Sequence, residues 1–312
     1  MARAPMAMLC GLLLFAAGCG GEPPARAPEP ANAPALPPAQ PPPPPEASAE
    51  PVPAANAELR GQCEAGKNEA CVSLADRLRD PEPPAAADHT TAIELYERAC
   101  EGGLALGCAQ LGLMYQDGLG VAVDPERARD LYMRGCEGGA ARGCSRLGSI
   151  YLAGFGVARS FEQAHARSEA GCEGGDGLGC ANLALMYRNG DGVKRDPARA
   201  LELARKSCDA REGRGCTVLG EMTAAGEGAT ANPTLAALHN EKACELGDGR
   251  GCGNAGVAYQ VGAGVAQSPE RAAQLYGKAC GAGEQRYCDL LKRIEYKALR
   301  TAESLGLPPP KR

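Results

Sequence analysis

Cysteine is the residue with the most chemistry to offer in this 312-residue sequence, which contains sixteen of them. Cys10 and Cys19 stand apart near the start. The others fall into pairs eight positions apart: Cys63 with Cys71, Cys100 with Cys108, Cys136 with Cys144, Cys172 with Cys180, Cys208 with Cys216, Cys244 with Cys252 and Cys280 with Cys288. From Cys100 onward the pairs recur every 36 residues, and only the first step, 37, differs. A thiol can be a nucleophile, a metal ligand or half of a disulfide. Thiolate metal sites favour CxxC knuckles, and the sequence has none. In one continuous helix, residues eight apart are separated by about 12 Å, whereas a disulfide needs Cα atoms within roughly 7 Å. Each pair can therefore close only if the chain reverses between its members, which the Gly-rich stretch there allows. Disulfides are expected at all of these pairs, each stapling the end of one helix to the start of the next. Closing so short a ring contributes roughly 2.5 kcal/mol. No metal and no cofactor is expected.

Little else suggests catalysis. His89, His165 and His239 are the only histidines and lie far apart. No Ser-x-x-Lys, Gly-x-Ser-x-Gly or His-Glu-x-x-His occurs, and the acidic residues follow helix caps and charged faces. The net charge is −5 and aromatics are 4% of the chain. An acidic balance argues against a general nucleic-acid binder, which needs a basic face to neutralise phosphates.

The cysteines have to be positioned by repeated elements. After each cysteine come Leu74, Leu111, Leu147, Leu183 and Leu219 three positions on. Gly112, Gly148, Ala184, Gly220 and Gly256 follow at four, and Tyr115, Tyr151, Tyr187 and Tyr259 at seven. Positions 0, 3, 4 and 7 share one helical face, so this is a first helix, A, with an apolar stripe of core residues. Helix A ends at paired glycines such as Gly118 with Gly120 and Gly190 with Gly192. Asp124-Pro125, Ser160-Phe161, Asp196-Pro197, Asn232-Pro233 and Ser268-Pro269 then open a second helix, B. Ala128, Ala164, Ala200, Ala236 and Ala272 serve as its small packing residues, and it runs to the next cysteine.

The N-terminal part reads as export and tethering. Arg3 precedes an apolar run from Met6 to Ala17, too short to span a bilayer. It ends in Phe15-Ala16-Ala17-Gly18-Cys19, which resembles a bacterial lipobox, although Ala16 stands where a larger aliphatic residue is usual. Residues 1–18 are then a signal peptide and Cys19 the lipidated first residue of the mature chain. An ordinary cleaved signal with Cys19 as a neighbour is the competing reading. By resemblance to lipoproteins, Gly20-Gly21 after the cysteine favours the outer membrane, with secretion as the alternative. Residues 19–55 form a linker: between 22 and 53, fourteen of 32 residues are Pro, which favours an extended polyproline tether. A proline-rich ligand for another domain is the other reading of this stretch.

The pattern Leu111-Gly112, Tyr115, Gly118, Gly120-Val121, Asp124-Pro125 and Ala128, repeated down the chain, resembles the Sel1-like repeat, a relative of the tetratricopeptide repeat. The eight-residue cysteine step resembles its cysteine-rich secreted bacterial subgroup. The likeness weakens at Pro81 to Ala87 and in the fifth unit, where Thr223 and Ala229 replace Tyr and Val. It implies an all-α, right-handed solenoid of about six to seven helix-turn-helix repeats over residues 56–288, with a capping helix and tail at 289–312. It also implies a binding scaffold, with helix A lining a concave surface.

On helix A, positions two, five and nine after the cysteine vary while the stripe repeats. Gln110, Arg146, Asn182, Asn189, Glu221 and Asn254 lie in this row and are the candidate binding residues. A merely solvated face is the competing reading for any one of them. The expected partner is a protein, a peptide or a peptidoglycan fragment, with the membrane reached through the lipid. Two alternatives remain: a spacer with no tight ligand, and the beta-lactamase-like or penicillin-binding activity that the cysteine-rich relatives imply.

Overall fold

A computed structural model describes residues 54–80 and 87–305. The signal peptide, Cys19, the proline-rich segment up to residue 53 and the stretch 81–86 lie outside the described residues. Fourteen helices and no strand occur among those described. They are α1 (Ala54–Glu64), α2 (Asn68–Arg79), α3 (His89–Glu101), α4 (Ala105–Asp117), α5 (Pro125–Glu137), α6 (Ala141–Ala153) and α7 (Phe161–Glu173). There follow α8 (Gly177–Asn189), α9 (Pro197–Asp209), α10 (Gly213–Ala225), α11 (Pro233–Glu245), α12 (Gly249–Val261), α13 (Pro269–Gly281) and α14 (Gln285–Leu305). The even-numbered helices are the A helices and the odd-numbered ones the B helices. The last A helix, α14, simply runs on for 21 residues, so the expected cap extends that helix and is not a separate element.

Short-range rules fix where the helices begin and end. Asp124, Ser160, Asp196, Asn232 and Ser268 each cap a B helix by accepting from the backbone N–H three residues on. Gly118, Gly154, Gly190, Gly226 and Gly262 end the A helices in the left-handed conformation. The B-to-A turn needs one residue at positive φ. Gly103, Gly139, Gly175, Gly247 and Gly283 supply it at φ 87 to 89°, and Arg211 takes that place at φ 61°.

All the expected disulfides are formed. Cys63 is bonded to Cys71, Cys100 to Cys108, Cys136 to Cys144, Cys172 to Cys180, Cys208 to Cys216, Cys244 to Cys252 and Cys280 to Cys288, with Cα–Cα distances of 4.3 to 4.9 Å. Each bond ties the last turn of a B helix to the first turn of the next A helix, because the glycine turn between them folds the chain back. The A-helix partners, Cys71, Cys108, Cys144, Cys180, Cys216, Cys252 and Cys288, are all buried. They act as core residues as well as staples.

Every helix packs on its neighbours in sequence, which makes the array a solenoid. A helices also touch the next A helix all the way from α2 to α12, whereas α11 and α13 are the B helices that come comparably close. The A helices therefore line the tighter, inner side of the stack. Being packed from both sides, they are buried further round than one stripe. Met114, Ile150, Met186 and Met222 at position six are in the core alongside Leu147 and Leu183. The stripe tyrosines fare less uniformly: Tyr115 is buried, but Tyr151, Tyr187 and Tyr259 are half-buried. The fully buried tyrosines are Tyr96, Tyr132 and Tyr276, all on B helices.

Candidate binding groove

The inner surface sorts the six predicted residues into different environments. Gln110 and Asn182 are buried, so position two does not lie on an open face. They bridge neighbouring A helices instead. Gln110 donates to Asp76 at 2.9 Å and accepts from Arg142 at 3.3 Å. Asn182 donates to the Ser145 carbonyl at 3.1 Å and Ser149 Oγ at 2.9 Å, and accepts from Arg214 at 3.4 Å. The reason is the helix packing already described: a residue two positions after the A-helix cysteine meets the A helix before it. Arg146 is half-buried, and Asn189 is exposed and donates to Asp191 at 3.0 Å.

Glu221 and Asn254 do come together, on α10 and α12, with Asn254 Nδ2 donating to Glu221 Oε1 at 3.3 Å. Asn254 Oδ1 accepts from the Tyr287 hydroxyl at 2.9 Å. Arg188 on α8 donates to Glu221 Oε2 at 2.8 Å and holds both oxygens of Glu227, at 2.9 and 3.0 Å. Arg250 pairs with the other oxygen of Glu221. Burial works to raise the Glu221 pKa, but Arg188 and Arg250 outweigh it and hold the carboxyl below its ordinary value. The Arg188 hydrogen bonds hold Glu227 below its ordinary value as well.

Of these side chains, Arg188, Glu221 and Asn254 form the rim of a groove of about 490 Å³. Its walls are Ala224 and Ala225 on α10, Pro233, Ala236, Ala237 and Asn240 on α11, and Val257 and Ala258 on α12. The groove has a simple origin. In the α4–α5 unit, Tyr132 lies against Gly112 and its hydroxyl donates to Gln116 at 3.0 Å. In the α12–α13 unit, Tyr276 lies against Gly256 and donates to Gln260 in the same way. In the α10–α11 unit the corresponding residues are Asn240 and Ala224, so both members of the pair are cut short. Gly220 is kept, and Asn240 lies against it. Asn240 is 6% exposed, and its Oδ1 has no hydrogen-bond partner. The sequence marks this unit through Thr223 and Ala229, which read as a weakened repeat. The missing Tyr–Gln pair is the sequence signal that points to a groove.

The histidines stay apart, on α3, α7 and α11. His165 meets the Tyr187 hydroxyl at 3.3 Å. Burial, with Lys242 and Arg205 nearby, lowers the His239 pKa. No cluster of metal-ligating side chains occurs among the described residues. No described helix is long and apolar enough to cross a membrane.

The family model described as Sel1 repeat matches residues 69–104, 105–139, 141–166, 177–211, 214–248 and 250–284. The chain belongs to the Sel1 repeat family. Each matched Sel1 unit is one A helix followed by one B helix, from α2 and α3 to α12 and α13, with α1 and α14 flanking them. The groove is therefore centred on Sel1 repeat five, with Arg188 contributed by repeat four and Asn254, Val257 and Ala258 by repeat six. Among solved structures the chain is similar to c5321, described as a protective antigen of uropathogenic Escherichia coli strains displaying an SLR fold. The identity is 25% at a TM-score of 0.55, over 82% of this chain and 53% of that one, so this chain spans about half of that protein's length. A Sel1 repeat protein from Oxalobacter formigenes shares 21% identity at a TM-score of 0.59, over 72% of this chain and 96% of that one. Helicobacter pylori cysteine rich protein B shares 26% identity at a TM-score of 0.36, over 42% of this chain and 94% of that one. No curated protein matches the chain.

Proposed function

We propose that this protein is an exported, membrane-tethered scaffold that binds an extended segment of another protein along its A helices and catalyses no reaction. The observation that carries the reading is the repeat-five groove. It combines an apolar floor with a rim of Arg188, Glu221 and Asn254, at the unit where the repeat pattern lapses. Such a surface suits a peptide: apolar walls take side chains, and the polar rim takes backbone groups. Sel1 arrays generally act in protein–protein contacts, which fits. The disulfides suit an oxidising compartment. The apolar run before Cys19 supplies a route out of the cytoplasm and a site for a lipid.

Crosslinking in cells tests the binding reading. A photoreactive residue at Val257 should give a discrete adduct, and one at the outer-face position Glu202 should give none. Equal labelling at both positions, or none at Val257, would leave the array a spacer. Replacing Cys19 by Ala should release the protein from membranes and abolish incorporation of labelled fatty acid. Turnover of a chromogenic beta-lactam, abolished by one substitution, would instead favour the hydrolase alternative.

A further inference from the structure

The charges of the array divide between its two kinds of helix. The A helices from α4 to α12 hold five arginines, no lysine and two acidic residues, Asp117 and Glu221. The B helices from α3 to α13 hold fourteen acidic and eleven basic residues. A chain of net charge −5 thus carries a basic inner side.

Three of the five inner arginines are engaged within the array. Arg142 pairs with Asp176 at 4.0 Å, Arg188 with Glu221 and Glu227, and Arg250 with Glu221. Arg146 on α6 and Arg214 on α10 form no ion pair among the described residues, although both are half-buried. They flank α8, and Asn182 links their surroundings. Its amide donates to the carbonyl of Ser145, the residue before Arg146, at 3.1 Å and accepts from Arg214 at 3.4 Å. Position two is a neutral amide in repeats two, four and six, at Gln110, Asn182 and Asn254. Repeat three places Arg146 there.

The acids that act on Arg214 are Glu212 and Asp248, and both are held at helix starts. Asp248 accepts from the Thr217 hydroxyl at 2.7 Å and the Gly251 N–H at 2.8 Å, and Glu212 from the Arg214 N–H at 3.4 Å. Burial lowers the Arg214 pKa, and Arg250 and Arg146 add to the fall against these two acids. Two guanidiniums are therefore close enough to repel, partly stripped of water and without a counter-charge of their own. An incoming anion relieves both costs.

The surroundings select the anion. A guanidinium fork matches the two coplanar oxygens of a carboxylate. A single charge suits a site that also holds Glu212, Asp248 and Glu221, whereas a phosphate brings about two charges. A continuous polyanion would also run onto Glu221 and Asp117. Carboxylates spaced along a peptide avoid these acids.

We infer that the inner face of repeats three to five takes an acidic segment of a separate partner protein, with an Asp or Glu carboxylate seated on Arg146 and Arg214. This rests on the binding reading above and names the chemistry of the partner.

Calorimetric titration of the full chain with a blocked octapeptide of alternating Ala and Glu tests it, because alternate side chains of an extended segment share a face. The Glu peptide should bind saturably and its Gln counterpart should not. Arg146→Gln and Arg214→Gln should each weaken binding about tenfold, as expected for a lost charge-assisted bond. Arg199→Gln, at an exposed position on α9, should leave affinity unchanged. Neither inner variant should lower Tm, because each removes a charge that has no acidic partner. Arg146→Gln keeps the test valid if the Arg214 variant folds poorly. Equal binding of the Gln peptide, unchanged affinity in both inner variants, or binding lost only in step with Tm would overturn the inference. Inorganic phosphate or a single-stranded oligonucleotide binding as tightly, with the same dependence on the two arginines, would make this a phosphate site and overturn it too. A concentration-dependent dimer lost in the double variant would make a second copy the occupant and overturn the separate partner. The Val257 crosslink should vanish in the Arg146→Gln, Arg214→Gln chain. A crosslink that persists there sinks the carboxylate and leaves the binding reading, whereas its absence from the parent chain sinks the binding reading itself.

Discussion

Arg188 and Glu227 stand 39 residues apart in sequence and form a two-point ion pair between repeat four and the turn after α10. Both nitrogens of the guanidinium fork find an oxygen, and a third donor reaches Glu221. Planar, bidentate pairing of this kind is stronger than a single surface contact. Its position matters more than its strength. It ties α8 directly to the turn after α10, whereas the disulfide at the same junction, Cys208–Cys216, joins α9 to the start of α10.

Removing this fork should therefore cost more than removing an isolated surface pair. Arg188→Ala should lower stability by about 2 kcal/mol, because charge-assisted bonds between largely covered groups are lost. Arg199→Ala breaks only the exposed pair with Glu202 and should stay within about 0.5 kcal/mol. Urea unfolding of the two variants against the parent chain measures the difference.

The same carboxylates set a pH dependence with a defined sign. Glu221 and Glu227 are held below their ordinary values in the folded chain. Their contribution is fully present above the unfolded glutamate value of about 4.3. It is lost as pH falls through the lower folded values. Tm measured from pH 6 to pH 3 should fall less steeply for the double variant Glu221→Gln with Glu227→Gln than for the parent. An identical slope would mean the pairs carry no such linkage.

Tyr132 separates packing from hydrogen bonding. Tyr132→Phe keeps the ring on Gly112 and loses the bond to Gln116, for a cost of about 1 kcal/mol. Tyr132→Ala empties a fully buried site and should cost about 3 to 5 kcal/mol. Tyr187→Ala, from a half-buried position, should fall well short of that. Thermal and chemical denaturation of the three variants gives the ranking.

Arg211 is the one non-glycine residue at positive φ among the described residues. Its counterparts in the other B-to-A turns are glycines. A side chain there opposes the left-handed conformation by about 1 kcal/mol. Arg211→Gly should therefore raise stability by about that amount, reduced by the greater freedom of glycine in the unfolded chain. A lower Tm would show that the Arg211 side chain makes a compensating contact.

The disulfides predict a graded response to reduction. Native protein should resist thiol alkylation throughout the array until it is treated with reductant. Replacing Cys172 and Cys180 together by Ser should cost roughly 2.5 kcal/mol through the regained freedom of the unfolded chain. Peptide mapping that joined cysteines from different repeats, Cys108 with Cys144 for example, would contradict the observed pairing.

Much of the fold could be read without coordinates, because the interactions that fix it are short in sequence. A disulfide across eight residues, an N-cap to the third N–H and a glycine at a helix end each act within about ten positions, and each recurs with the repeat. The cysteine register therefore set the helix boundaries, the hairpins and the stacking of the array. Contacts between residues some 30 to 39 apart were a different matter. The bridges from Gln110 to Asp76, Asn182 to Ser145 and Arg188 to Glu227 depend on how closely one A helix approaches the next. That approach depends on the summed volumes of side chains from several helices, which no periodicity encodes. For this reason tertiary packing alone buried Gln110 and Asn182, gathered Glu221 and Asn254 at one rim, and turned the short residues Asn240 and Ala224 into part of an open groove.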